Sequence, residues 1–408
     1  MNNLDNQLSL GDDVLERKIK GILKSIWVSE NVNQILKTVP WNELSMFLVD
    51  LFNKRVSWVD GPKIMEQMTQ TRFCRSSQNN IRKIHIIEAE IAKTLPDDVI
   101  LLDVSPLDPF WLNNFLNWTS QKKIISTNRW YDLISDWSTK LVLDWAVRRK
   151  ELIRKQQNSK ERVCLWTNFR CFRVQSFKWM HEKDVYAHFK VFASSVQWRD
   201  IERRDFEYFA IGKVLRSYFE LFRTLNQQWI SKINWLDIFL SDMRITEMLF
   251  RKAKCLNDDV RLKGAMAEFR DEQIKRDERW EEEIGLFDYL QIGKNPIIDT
   301  SKWIDKSAWE EYSITDYLIF LEKIAEHLKP LSIEFEDLGI NFLIDLNRSA
   351  WIWHYSHLAM KWFIRWNDKM KFWLFDWWSV NWSAKLLGDK KEKCFVAWLW
   401  TWYMANFI

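Results

Sequence analysis

Only 9 of the 408 residues are written as Gly, whereas 27 are written as Trp. Glycine supplies the positive φ angles and close backbone approaches that turns and helix ends require, so a chain with so few is restricted in how it can reverse direction. A chain of this length ordinarily carries roughly 29 Gly, at about 7% usage, and the pooled Trp and Gly would then leave roughly 7 ordinary Trp. Several Trp also stand where a residue without a Cβ is expected. Asp376-Trp377-Trp378-Ser379-Val380-Asn381-Trp382 and Ala397-Trp398-Leu399-Trp400-Thr401-Trp402 read naturally with glycine at each indole. Trp198, Trp377, Trp378, Trp382, Trp398 and Trp400 are accordingly glycine-expected positions. The expectation is that the gene uses UGA as a glycine codon. The competing reading is a genuinely Trp-rich ligand binder with aromatic stacking platforms, which leaves the glycine deficit unexplained.

At 47% hydrophobic and 28% charged residues, the chain can build a large core. A net charge of +4, from 60 basic and 56 acidic side chains, gives no global case for nucleic acid or a membrane surface. The N-terminus, Met1 to Asp13, is polar and acidic and carries no secretory pattern. The five Cys are scattered without a CxxC pair, so neither a disulfide framework nor a zinc site is expected, and a cytoplasmic location fits. His354 and His357 lie in an expected turn and strand without a third ligand nearby, so no metal is expected.

Apolar spacings of three and four at Val14-Leu15-Ile19-Ile22-Leu23 and Ile81-Ile84-Ile87-Ile91 predict a helical N-terminal extension over 1–95. A buried strand is expected at Asp98 to Val104, with short strands at Lys123 to Ser126, Lys140 to Leu143, Val163 to Leu165, Ala187 to Ser195 and Leu236 to Leu240. A long amphipathic helix is expected around Phe206 to Leu225. These elements form the first part of a core, 96–245. A helical, highly charged insertion follows over 246–330, its run from Glu268 to Glu283 reading as a solvated face. Strands resume at Ile340 to Leu346, Leu358 to Arg365 and Lys371 to Phe375 in the second part of the core, 331–408. The apolar tail from Cys394 is shorter than the roughly 18 to 20 residues a membrane span needs and reads as a buried strand and turn. Strands and helices mix without regular alternation, which indicates the α+β class.

With Trp read as Gly, the last third resembles the end of a class II aminoacyl-tRNA synthetase core of the histidyl type. Trp351-Ile352-Trp353-His354-Tyr355-Ser356-His357-Leu358 resembles the later part of the family's RGLDYYTG signature. Trp377 to Trp382 and then Leu386-Leu387-Gly388 resemble GGRYDGL and the glycine after it, and Ala397 to Tyr403 resembles the closing GFGIGLER-like motif 3. Phe172-Arg173 resembles the FR pair that opens motif 2, and Phe189 to Trp198 lies over FHQFGVEVFG. Tyr131 to Trp137 and Leu141-Val142-Leu143 resemble the strand pair before the family's LRPE element. The resemblance covers 96–245 and 331–408. It implies an antiparallel sheet flanked by helices, with the insertion where histidyl enzymes also carry one, and a homodimer.

The departures bear on activity. The glutamine and glutamate that hold the histidine ammonium fall at Val191 and Ser195, and the arginine and aspartate of GGRYD fall at Ser379 and Asn381. LRPE becomes Leu143-Asp144-Trp145-Ala146, and motif 3 lacks its arginine near Tyr403. Arg173 keeps a family position, Arg348 lies two places early for the arginine of RGLDYYTG, and Tyr355 falls on its tyrosine pair; these three are the substrate-binding candidates, and none is assigned as catalytic. The sequence ends at motif 3, without an anticodon-binding domain. The resemblance therefore implies a non-catalytic regulatory protein similar to the ATP phosphoribosyltransferase regulatory subunit of histidine biosynthesis, partnered by the catalytic subunit and needing no cofactor. A diverged histidine-tRNA ligase is the alternative, and would bring in ATP, Mg and tRNA. Histidine-dependent pyrophosphate exchange separates the two, whereas polysaccharide binding would favour the Trp-rich binder.

Overall fold

The computed structural model describes residues 32, 37–56, 59–71, 73–74, 76–77, 80–117, 119, 121–155, 162–174, 187–200, 205–278, 284–348, 356–367, 370–401 and 404–405. The expected helix at Val14 to Leu23 lies outside them. The chain divides into two compact units, Met1–Gln67 with Ser126–Tyr131, and Met68–Ile125 with Asp132–Ile408. In the first, helices α1 (Trp41–Val56) and α2 (Gly61–Gln70, ending in the second unit) bury none of their side chains. A tight turn closes 127–131 through Thr127 N donating to Tyr131 O at 2.8 Å, and Trp130 Nε1 donates to Trp41 O at 2.8 Å.

The second unit holds a nine-stranded sheet, built in chain order from β1 (Val99–Leu102), β4 (Val163–Phe172), β5 (His188–Arg199), β6 (Leu236–Asp242), β7 (Ile297–Asp299), β8 (Ile340–Asp345), β9 (Leu358–Asn367), β10 (Met370–Val380) and β11 (Glu392–Leu399). Its spatial order is β1-β4-β5-β11-β10-β9-β6-β8-β7. Two short strands, β2 (Leu107–Pro109) and β3 (Tyr131–Leu133), pair separately. The expected α+β fold on a mainly antiparallel sheet flanked by helices is what forms. Two of its pairings, β1 with β4 and β6 with β8, are parallel. No helix among the described residues is long and apolar enough to cross a membrane.

Alternation along the strands makes the two sheet faces chemically different. One face packs on α6 (Asp205–Gln227), whose Phe206, Tyr218, Phe219 and Phe222 recur on one side at helical spacing and are fully buried. Phe206 stacks on Phe395 at 4.9 Å between ring centroids, Tyr218 meets Phe375 at 4.4 Å, and Trp377 stacks on Phe395 at 4.3 Å. The other face packs on α5 (Trp137–Arg154), which follows α3 (Ile81–Thr94) and α4 (Leu112–Asn117) along the chain.

Four expectations are corrected. Lys123 to Ser126 is not a strand: the chain coils in a 3-10 turn over Gln121–Lys123, closed by Ile124 N donating to Gln121 O at 3.2 Å, and Ser126 forms only an isolated bridge. Lys140 to Leu143 is not a strand, nor is Leu141-Val142-Leu143 part of a strand pair; both lie inside α5. The apolar run looks strand-like locally, but Trp137, Leu141, Val142, Trp145 and Ala146 recur at helical period and are buried together. Leu143-Asp144-Trp145-Ala146 is consequently mid-helix, and the segment that follows strand β3 closes with Asp136 as its acidic residue. The strand at Asp98 to Val104 shortens to β1 at the sheet edge, where Ile100 and Leu101 are exposed instead of buried. The segment 246–330 is mostly helical, in α7 (Met243–Ala253), α8 (Asp259–Glu278), α9 (Leu286–Leu290) and the start of α10 (Thr315–Glu334), yet it also supplies β7 to the far edge. The strands expected from Val163, Ala187, Leu236, Ile340, Leu358, Lys371 and in the tail all form.

Gly339 (φ +57°) leads into β8, and a Cβ there would sit 2.4 Å from the Asn234 carbonyl oxygen, whereas Gly388 (φ +70°) has open space around it. Gly388→Ala should cost about 1–2 kcal/mol, the ordinary penalty of the left-handed conformation. Gly339→Ala should cost clearly more, because backbone must move as well. Urea denaturation of the two variants checks this; equal losses would contradict the close approach of β8 to the 234 turn.

Candidate functional site

The β3–α5 junction gathers a group of buried polar side chains. Asp136 caps α5, its Oδ1 accepting from Ser138 N at 2.8 Å and its Oδ2 from Asn117 Nδ2 at 2.8 Å. Thr139 Oγ1 donates to Asp136 O at 2.8 Å, and Asp132 accepts from Trp111 N at 3.1 Å and Gln121 Nε2 at 2.8 Å. Asp108, wholly buried on β2, faces Lys140 at 3.5 Å. Burial pushes the Asp108 carboxyl up from its ordinary 3.8 to about 7; Lys140 opposes this, and Asp136 and Asp132 add to it.

Arg173, just beyond β4, reaches this junction from the sheet. Its Nε donates to Ser135 O at 3.1 Å and its guanidinium lies 4.9 Å over the Trp137 ring. Burial lowers its proton affinity, and the charge of Asp136 counteracts that. The Trp137 ring meets Trp398 at 5.1 Å and Trp400 at 6.5 Å; Trp398 and Trp400 lie 4.8 Å apart, and Phe189 meets Trp400 at 4.7 Å. The motif 2 and motif 3 segments thus converge on one point, as β11 pairs directly with β5 through Trp398 opposite Ala193.

Residues of β5 on the face of Ala193, namely Phe189, Val191 and Ser195, share that side of the sheet. Ser195 Oγ accepts from Gln197 Nε2 at 3.0 Å, and Gln197 Oε1 in turn accepts from Ser383 at 2.8 Å. Opposite Trp398 on β10 stands Asp376, so it too faces α5. Arg348 Nη2 donates to Asp376 Oδ1 at 2.8 Å, both side chains being buried. Burial raises the Asp376 carboxyl, and Arg348 and Lys361 pull it back.

The structure therefore gathers Arg173, Arg348, Trp378, Trp398 and Trp400 on or beside the α5 face. Trp198 and Trp377 belong to the opposite face, and Trp382 opens helix α11 (Trp382–Leu387). Ser379, read as a nucleotide-contact position, also points away and holds His357 N at 3.0 Å and Ser356 Oγ at 2.9 Å. Tyr355 and His354 lie outside the described residues. None of the six glycine-expected indoles has a positive φ; among the described residues the tryptophans that do are Trp111, Trp130 and Trp229. Asp108, Asp132 and Asp136 went unrecognised from sequence. Only Asp136 had a signal, an Asp directly ahead of a helical apolar period. Among the described residues no group of three or more His, Cys, Asp or Glu is placed to hold a metal ion.

Two consequences are measurable. Between about pH 4 and pH 7 the folded chain keeps a proton on Asp108 that the unfolded chain has released, so stability should fall as pH rises through that window, by at most about 1.4 kcal/mol per unit. Asp108→Asn should flatten this slope in urea melts taken from pH 4.5 to 7.5; an unchanged slope would place the titration elsewhere. Arg348→Met strands the Asp376 carboxylate in the interior and should cost about 3–5 kcal/mol, most of it regained in Arg348→Met/Asp376→Leu. A double variant no better than the single would show that the pair is not what Arg348 contributes.

No family profile matches the chain, and no curated protein matches it in sequence. Solved structures do match. An ATP phosphoribosyltransferase regulatory subunit/histidyl-tRNA synthetase from Bacillus halodurans superposes with a TM-score of 0.55 at 8% identity, over 83% of this chain and 83% of that one. A histidine–tRNA ligase subunit from Alicyclobacillus acidocaldarius gives 0.55 at 11% identity, over 82% of this chain and 94% of that one. The histidyl-tRNA synthetase from Nostoc sp. gives 0.54 at 9% identity, over 81% and 72%. These likenesses and the sheet order agree with the motif order read from the sequence: the chain has the fold of a histidyl-tRNA synthetase-like class II core.

Proposed function

We propose that this chain is a non-catalytic, regulatory protein of the ATP phosphoribosyltransferase regulatory-subunit kind, serving histidine biosynthesis in the cytoplasm. The observation that carries the reading is the α5-facing row of β5. Phe189, Val191, Ala193 and Ser195 offer no ionisable group there, and the Ser195 hydroxyl already takes the Gln197 amide. Amino-acid activation needs preorganised charge around the developing phosphoryl oxygens and the substrate ammonium. Arg173 donates to the Ser135 carbonyl, and Arg348 is committed to Asp376. Neither arrangement is a clamp on ATP and Mg. The partner in this reading is an ATP phosphoribosyltransferase catalytic subunit, and the exposed Ile100 and Leu101 on edge strand β1 suit a homodimer.

One observation favours the diverged histidine-tRNA ligase instead. Asp136 lies next to Arg173 and puts an acidic side chain beside the site, which the run Leu143-Asp144-Trp145-Ala146 inside α5 does not. A carboxylate beside a guanidinium can orient a zwitterion, but it leaves the phosphates without a counter-charge.

The test is histidine-dependent pyrophosphate exchange by the chain expressed with glycine at its glycine-expected positions. Loss of several charged contacts, each worth about 2–4 kcal/mol in the transition state, should leave exchange at background. The same preparation should bind and stimulate the catalytic phosphoribosyltransferase subunit. Robust exchange that depends on histidine and tRNA charging would replace the regulatory reading with the ligase.

A further inference from the structure

The backbone marks three tryptophans as misfits. Trp111, Trp130 and Trp229 adopt φ of 74°, 64° and 58°, a region that bulky L-residues rarely enter. Two residues written as glycine, Gly339 and Gly388, occupy the same region. Trp229 is the clearest case. It follows α6 at the position where Ile230 N reaches back to Leu225 O at 2.9 Å and Trp229 N to Asn226 O at 3.0 Å, which is the hydrogen-bond pair of a helix end closed by a left-handed residue. Glycine is the usual occupant there. The Trp229 indole is 84% exposed, so no packing compensates the strained backbone.

From the glycine deficit, the left-handed backbone at three indoles and the helix-end hydrogen bonds at Trp229 we infer that the cellular protein carries glycine at positions 111, 130 and 229. Glycine at these positions releases backbone strain. This goes beyond the regulatory reading and does not depend on it, since the strain is the same in a regulatory or a catalytic chain.

Peptide mass spectrometry of the protein purified from its native cells decides the matter. The expected result is that peptides covering the three positions are lighter than written by one tryptophan-to-glycine difference per site, with UGA at the matching codons. Tryptophan at 111, 130 and 229 would overturn the inference. A second measurement uses the recombinant chain as written. Trp229→Gly should shift the melting temperature upward, whereas Trp309→Gly, which removes a buried ring packed on Phe287 and Tyr312, should shift it downward. A downward shift for Trp229→Gly would mean that the indole belongs there.

Discussion

The pairing of β11 against β5 is the constraint on which the rest of this molecule depends. Strand β5 runs between β4 and β11, and its register with β11 is continuous from Arg199 opposite Glu392 to Phe192 opposite Leu399. A register slip of one residue would exchange the faces of β11 and send Trp398 into the aromatic core around α6. Because the register holds, Trp398 and Trp400 are delivered against Trp137 at the start of α5, beside Arg173. The ring contacts of Trp398 and Trp400 at the candidate site depend on this seam.

The two faces of the sheet answer to different physics. Beneath α6 the packing is aromatic on aromatic, and the hydrophobic effect alone accounts for the order of Phe206, Tyr218 and Phe222 along the helix. Under α5 the interior contains charge. Arg348 with Asp376 and Lys140 with Asp108 are paired because a lone ion in that environment is too costly. Arg173 is held by a carbonyl, an indole face and the charge of Asp136. Pairs of this kind add little net stability, so their concentration on one face marks that face as the one shaped by something other than packing.

The glycine question and the fold question turn out to be separate. The α6 face accepts Trp166, Trp362 and Trp377 as large apolar fillers, and the strands beneath them form regardless. At the ends of elements, in contrast, Trp229 stands in a conformation that its own side chain opposes. Composition points to the substitution; only φ and hydrogen-bond geometry say where it matters most.

Much was determined by the sequence by itself. Strand character was legible in Phe189 to Trp198 and in the apolar run Cys394 to Leu399, and the Phe206 to Leu225 periodicity indicates a helix. The order of motifs along the chain was likewise legible, since it needs no knowledge of contacts. Local pattern failed at Leu141-Val142-Leu143, where a β-like run belongs to a helix because Trp137, Trp145 and Ala146 complete a buried stripe around it. It also hid the exposure of Ile100 and Leu101, because an edge strand and a central one have the same composition. What only the tertiary structure decided is which distant residues meet. The pairing of Arg348 with Asp376, and of Arg173 with Trp137 and Asp136, is set by strand register and helix docking. These are non-local choices that no window of the chain encodes, because burial is a property of the assembled sheet and not of the segment.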